Sequence, residues 1–573
     1  MTHDHHHEVH DELAPELNPD AEEAKAEQKR NRTLGNVRLR HHETNEIILI
    51  PTPSNDPNDP LNWSQPYKYY MAIVVCLAMM MCNFLAAGPS IAIAEAAFTF
   101  FPSSFASGDE GAINSAISKC AYFFTTTALL QGTGNFLWVP LCNKYGRRPC
   151  YIASYTIYLA TAVWCIFEGE YNGFLVARIL MGVGSGAAET IAPVSIADVF
   201  FLHERGTIMA MYNCFLSVGV AGGMMVAGLI TINHDWRVIY QVASALIGFV
   251  LLLAVFSFPE TAYVRRNSSG LTDSSTVTRF SGDKSAGHGS DIENVVPSDI
   301  STPPAKETYL QSLKIFHRTY TNESFFKLFF RPFGLICLPP ILWVALVQAA
   351  TIGFIVAVSS NVAVAFADAY DFEPWQVGVC FVAGIIGSLI GIPAGGYFGD
   401  WVADFFTQRN GGIRDPEMRL PAIIPSLICA PLALVLYGIG IEHKLHWICP
   451  TIGLGLPANV RFLSLRLVNF AISQGTSVAL VYVIDSYRPV AGEVTLAVMG
   501  FKSLFGFLLS FYTNPWVEKS GYQDAYGAMA GISAGILILF LPLYIWGKAI
   551  RHASWNWPVI SYMHWEDDRE VGE

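Results

Sequence analysis

Three ionisable side chains, Arg178, Glu189 and Lys502, stand inside long apolar runs of the chain. A charge in such a run is expensive to bury and marks a transport pathway or a proton relay. Arg178 and Glu189 are eleven residues apart in one run, about three turns of helix, so they share a face. That face is expected to look into a central cavity, with Arg178 nearer the outside and Glu189 deeper. Burial makes a carboxyl easier to protonate, so Glu189 reads as a proton carrier or the ligand of a cation; the competing reading is a neutral or salt-bridged structural acid. Lys502, in "MGFKSLFGF", would repel or gate cations, or reach back to an interface. Asn83, Gln348, Asn361 and Gln474 are neutral hydrogen-bonding groups in similar runs. They suit substrate contacts, although such groups more often join helices.

A second cluster is "PLCNKYGRRPCY", residues 140 to 151, which places Lys144, Arg147 and Arg148 within five positions between two apolar runs. Gly146 permits a short turn there, and the cations can then sit against the C-terminal carbonyls of neighbouring helices. The stretch carries a neutral Asn143 rather than an acid.

The elements that hold these residues follow from composition. Of 573 residues, 52% are hydrophobic and 14% charged, outside the range of soluble domains. The apolar residues fall into stretches of about 20, the length a helix needs to cross a bilayer core of about 30 Å. A closed barrel would show alternating segments of about ten instead. Six helices are expected near 71–94, 118–140, 151–168, 173–199, 207–231 and 238–258, and six more near 333–364, 374–398, 420–440, 446–484, 492–513 and 524–547. Between them lies a stretch rich in Ser, Asp, Gly and Pro, too polar to bury a core of its own. The expected organisation is a polar tail over 1–67, a six-helix bundle over 68–259, a linker over 260–331, a second six-helix bundle over 332–549 and a tail over 550–573.

Basic residues set the orientation. Lys144, Arg147, Arg148, Arg205, Arg265, Arg266, Arg409, Arg414, Arg419, Lys548 and Arg551 fall on one side, Lys444 and Lys519 on the other. Both termini and the linker are therefore expected in the cytoplasm, where the sequons at Asn31, Asn62, Asn267 and Asn322 stay unglycosylated. No apolar segment of signal-peptide type precedes the first span, which must direct insertion itself. The opening "THDHHHEVH" would bind a transition metal or, more simply, be a solvated tail. Eleven cysteines without CxxC pairs are expected to be buried small hydrophobes, with no disulfide and no metal site.

The tenth span is overlong and carries Arg461 and Arg466, each costing roughly 2.5–3.5 kcal/mol at a helix centre. Removing 457–468 would restore a span of ordinary length, so this segment reads as an insertion; an outer loop in a broken helix and an Arg pair lining a pore are the alternatives.

Several stretches together resemble the major facilitator superfamily, specifically fungal members of the twelve-span drug:proton antiporter group. "GNFLWVPLCNKYGRRP" looks like the family's signature loop: Lys144, Gly146, Arg147 and Arg148 match, while Val139 replaces its first glycine and Asn143 its acid. A related "GGYFGDWVAD" in the second half supplies Gly396 and the acid, Asp400. "DPNDPLNWS", "RILMGVGSGAAE", "FLHERG", "DWR" and "PETAY" also fit, and "RNGGIRDPEMRLP" points to a branch that includes polyamine-type cation transporters. The fifth-span pattern Gly-x-x-x-Gly-Pro appears as Gly219, Gly223 and Met224, without the proline that marks many exporters. Gly182, Gly184 and Gly186, like Gly219, Gly223 and Gly228, suit close helix packing. The resemblance implies a major facilitator fold, all-α with two six-helix bundles and a cytoplasmic central linker, in which the signature loop latches the halves and Arg178 serves proton coupling.

No G-x-x-x-x-G-K-[ST] loop occurs, which disfavours an ATP-driven pump, and no cluster of His or acid ligands suggests a membrane enzyme. The expected function is secondary transport of a small organic molecule by proton-coupled alternating access, without cofactor or nucleic acid, by a monomer in the plasma membrane. Efflux of a drug-like compound or secondary metabolite stands slightly ahead of proton-coupled import of an organic cation such as a polyamine. A membrane sensor on the same scaffold is the reading from another class.

Overall fold

The computed structural model describes residues 37–38, 51, 53–54, 56–106, 108–263, 306–321, 323–444 and 469–557. The histidine-rich start, Asn31, Asn267, Asn322, Arg265, Arg266 and the whole of 457–468 with Arg461 and Arg466 lie outside the described residues.

The chain is a stack of helices. The first half contains α1 (Gln65–Ala87), α2 (Glu110–Thr133), α3 (Asn135–Tyr145), α4 (Arg147–Phe167), α5 (Tyr171–Val199), α6 (Arg205–Ile230) and α7 (Val238–Ser257). The second contains α8 (Phe325–Leu335), α9 (Pro339–Tyr370), α10 (Pro374–Cys380), α11 (Val382–Gly395), α12 (Tyr397–Arg409), α13 (Ile424–Glu442), α14 (Ser477–Ser486), α15 (Ala491–Ile538) and α16 (Phe540–Trp555). Prolines open α1, α9 and α10, where a missing N–H costs nothing. A two-residue strand, β1 (Val37–Arg38), pairs antiparallel with β2 (Ile413–Arg414).

Nine helical stretches among the described residues are long and apolar enough to span a membrane. One of them, Ala491–Trp555, has 65 residues; as a straight helix it would measure about 97 Å, three times a bilayer core of about 30 Å. It is two passes. Gly521, at φ 80° and ψ 165°, breaks α15 with a backbone conformation that residues with a Cβ rarely adopt.

Within the first half α1 packs on α6, α2 on α5, and α4 on both α5 and α7; within the second, α15 packs on α9 and α13. The halves meet along α2 against α15 and along α6 against α10 and α11. The glycines singled out in the sequence sit at these crossings. A Cβ on Gly186 would stand 2.1 Å from Gln131 O, one on Gly182 2.6 Å from Thr127 O, and one on Gly184 2.8 Å from Tyr158 N. Gly219 and Gly223 face Met80 O and Phe84 O in the same way, each at 2.5 Å, and Gly228 faces Pro374 O at 3.1 Å across the halves.

Candidate functional site

Two of the three intramembrane charges meet. Lys502 Nζ of α15 donates to Glu189 Oε1 of α5, with side chains 8% and 2% exposed. This ion pair joins the first half to the second in the interior, so Lys502 does not reach back to an interface. The helices come close here because Gly132 of α2 offers no side chain: a Cβ would lie 2.0 Å from Ser503 Oγ. Tyr212 of α6 donates its hydroxyl to the backbone carbonyl of Glu189 at 2.8 Å, fixing the turn that carries the acid. Glu189 Oε2 is buried and accepts no hydrogen bond.

Arg178 shares the face of α5 but has different company. Its Nε donates to Phe123 O and its Nη1 to Leu85 O, both at 3.0 Å, and its guanidinium lies 5.3 Å from the Phe124 ring and 5.8 Å from the Tyr240 ring. All of these contacts are within the first bundle, and Nη2 is left without a hydrogen-bond partner. The expectation that Arg178 looks into a shared cavity with Glu189 is not what the structure shows; the long side chain reaches carbonyl oxygens of α1 and α2 instead.

The neutral groups are dispersed. Asn83 donates to Met79 O at 3.2 Å and accepts from Gln131 at 3.4 Å. Gln348 donates to Thr476 O at 3.4 Å, leaving its oxygen unpartnered. Asn361 donates to Asn514 at 2.9 Å. Gln474, inside a π-helical turn, Ile472–Thr476, accepts from the Ser426 hydroxyl and donates to Ala422 O. Asn83 reaches α5 through Gln131, whose carbonyl is what Gly186 packs on.

The basic loop is a turn of one residue. Gly146, at φ 104°, links α3 to α4, and a Cβ there would lie 2.3 Å from Glu260 Oε2. Glu260, just beyond α7, accepts the backbone N–H groups of Arg147 at 2.8 Å and Arg148 at 3.1 Å, an anion on the exposed N–H groups of a helix start. Burial raises its carboxyl above the ordinary range, and the N–H donors and Arg147 pull part of that back. Arg147 pairs with Asp198 of α5 at 2.9 Å. Arg148 lies on the last carbonyls of α7, among them Val255 O at 2.6 Å. Lys144 accepts Tyr320 N at its carbonyl, 3.0 Å away. Asn143 packs against the start of α15, its Oδ1 3.3 Å from the position a Cβ on Gly492 would take.

The second copy has its own ion pairs. Gly396 brings α12 against α6, a Cβ there lying 2.7 Å from Thr207 Cα. Asp400 accepts from Arg419 at 2.5 Å and lies 3.9 Å from Arg414. Arg551 grips Glu417 with two hydrogen bonds of 2.8 and 2.9 Å. Sequence reasoning missed Asp198, Glu260 as a helix cap, and the buried acids Glu323 and Glu493, which lie near helix ends where charges ordinarily mark topology.

Apolar helices long enough to cross a membrane, packed as two bundles with a buried ion pair between them, describe a helical membrane protein. The comparisons give the family: the Major Facilitator Superfamily profile matches residues 71–482, and the chain belongs to that superfamily. It is 24% identical over 543 residues to an uncharacterized MFS-type transporter of Schizosaccharomyces pombe, covering 88% of each chain. It is 24% identical over 570 residues to Protein HOL1 of Saccharomyces cerevisiae, covering 89% of this chain and 91% of that one. Among solved structures, the proton:xylose symporter XylE of E. coli superposes with a TM-score of 0.54 at 14% identity, over 84% of this chain and 96% of that one. The human organic anion transporter MFSD10 does so with a TM-score of 0.51 at 13% identity, over 83% and 100%.

Proposed function

We propose that the chain is a proton-coupled secondary transporter of a small organic molecule, working by alternating access, with its termini and linker in the cytoplasm and its place in the plasma membrane. The observation that carries this reading is the buried Glu189–Lys502 pair between the halves. Protonating Glu189 removes its charge and strands the Lys502 ammonium in a low-dielectric interior, so the pair cannot hold the halves in the same way before and after. A proton thereby changes the relative stability of two arrangements of the bundles, which is what coupling requires. Gly146, Lys144, Arg147 and Arg148 with Asn143, and Gly396 with Asp400, act as a conformational latch on the linker side.

Efflux of a weakly polar compound fits the scarcity of acids in the interior. The unpartnered Glu189 Oε2 favours a second reading, import of an organic cation whose ammonium would supply the missing donor. Accumulation of labelled spermidine in cells expressing the chain, with and without a protonophore and beside Glu189→Gln, separates them. Protonophore-sensitive uptake that disappears in Glu189→Gln supports import. No uptake by protein confirmed at the cell surface, together with energy-dependent efflux of apolar compounds, supports export.

A further inference from the structure

The stretch from Phe316 through α8 packs on the first half and on α15. Toward the first half, Tyr320 N bonds Lys144 O, Phe316 lies 5.9 Å from the Tyr145 ring, and Phe333 of α8 stacks on Phe136 of α3 at 4.5 Å and 12°. Toward the second half, Arg331 of α8 is 0% exposed. It donates to Glu323, with Nη1 3.0 Å from Oε2, and to Glu493 Oε1 at 3.0 Å. Both acids are buried, and Lys327 reaches Glu323 at 3.3 Å. Two carboxylates thus share one buried guanidinium, with an ammonium at the rim.

Glu493 is the third residue of α15, where a negative charge complements the helix dipole. Asn143 packs on Gly492, the neighbouring residue, and its Nδ2 is buried without a hydrogen-bond partner. An acid at position 143 would put another negative charge beside a helix start already supplied with one from within the helix, and Arg331 already serves two carboxylates. Glu493 also rides on the helix that bears Lys502, nine residues on, about 13.5 Å along the axis. Whatever holds the first turn of α15 therefore bears on the placement of Lys502 against Glu189.

We propose that Arg331 is a positioning residue of the transport cycle: carried by α8, which packs on α3 of the first half, it closes this side of the protein by gripping Glu323 and Glu493, and position 143 is neutral because Glu493 supplies the acid there. This rests on the alternating-access reading, in which the linker side must open.

The test uses the full-length chain with a reporter cysteine, Val194→Cys, since Val194 is 7% exposed and its Cγ2 lies 3.6 Å from the place of a Cβ on Gly492. Its labelling by a water-soluble maleimide is measured against the same chain without the reporter. Arg331→Gln and Glu493→Gln are each expected to speed labelling at least tenfold, and Arg331→Lys to restore most of the slow rate. Asn143→Asp should also speed it several-fold in the natural background and not in Glu493→Gln. Unchanged labelling in a monodisperse Arg331→Gln protein overturns the proposal, as does slower labelling in Asn143→Asp. Should Arg331→Gln fail to fold, the crossed Asn143→Asp and Glu493→Gln comparison decides alone. Failure of the proton-coupled reading shows separately, as transport that ignores a protonophore while labelling behaves as expected.

Discussion

Replacing Lys502 by Met removes one partner of a pair whose side chains are 8% and 2% exposed and keeps most of the volume. The Glu189 carboxylate is then left buried without its cation, which costs about 3–5 kcal/mol as long as it stays charged. Thermal unfolding of the purified protein in detergent should show Lys502→Met destabilised by about that amount. The Lys502→Met/Glu189→Gln double variant should sit near the natural protein, because neither charge remains. A Lys502→Met protein as stable as the natural one, or a double variant as unstable as the single, would refute the reasoning.

Arg147→Ala breaks the 2.9 Å pair with Asp198 but spares the backbone N–H that Glu260 caps; normal surface expression with lost transport is expected, and normal transport would remove the latch role. Gly186→Ala drives a Cβ to 2.1 Å from a backbone oxygen and should cost roughly 1–3 kcal/mol in a melt. Gly222→Ala, with nothing within 4 Å of the new Cβ, should be neutral or stabilising by about 0.5–1 kcal/mol. Glu417→Gln leaves a buried Arg551 without its doubly bonded carboxylate; about 3–5 kcal/mol should be lost, and most of it recovered in the double variant with Arg551→Met.

The helical bundles were legible because apolar length and glycine spacing are local properties: Gly182 and Gly186 announce a close crossing without naming the partner. Glu189 was legible for the same reason, as an acid in an apolar run. Its pairing with Lys502 was not, since 313 residues separate them and nothing in either local stretch indicates which helices become neighbours. Arg178 shows the limit of helical phase, which places a Cα on a face but not the end of a long side chain; its guanidinium turns to the carbonyls of Leu85 and Phe123. Glu260 stood in a recognised "PETAY" stretch, yet its work as a cap for α4 depends on the chain returning to Gly146 from the end of α7. Arg331 and Glu493 carried no signal of their own, because a charge near a helix end is ordinarily a topology marker.

In the proposed mechanism Glu189 carries the coupled proton. The most direct test is transport in proteoliposomes of the compound that the uptake and efflux assays identify, driven by a pH gradient and, separately, by exchange without one, for the natural chain and Glu189→Gln. Glu189→Gln is expected to lose gradient-driven accumulation while exchange persists. Accumulation in Glu189→Gln that still follows the pH gradient would contradict it.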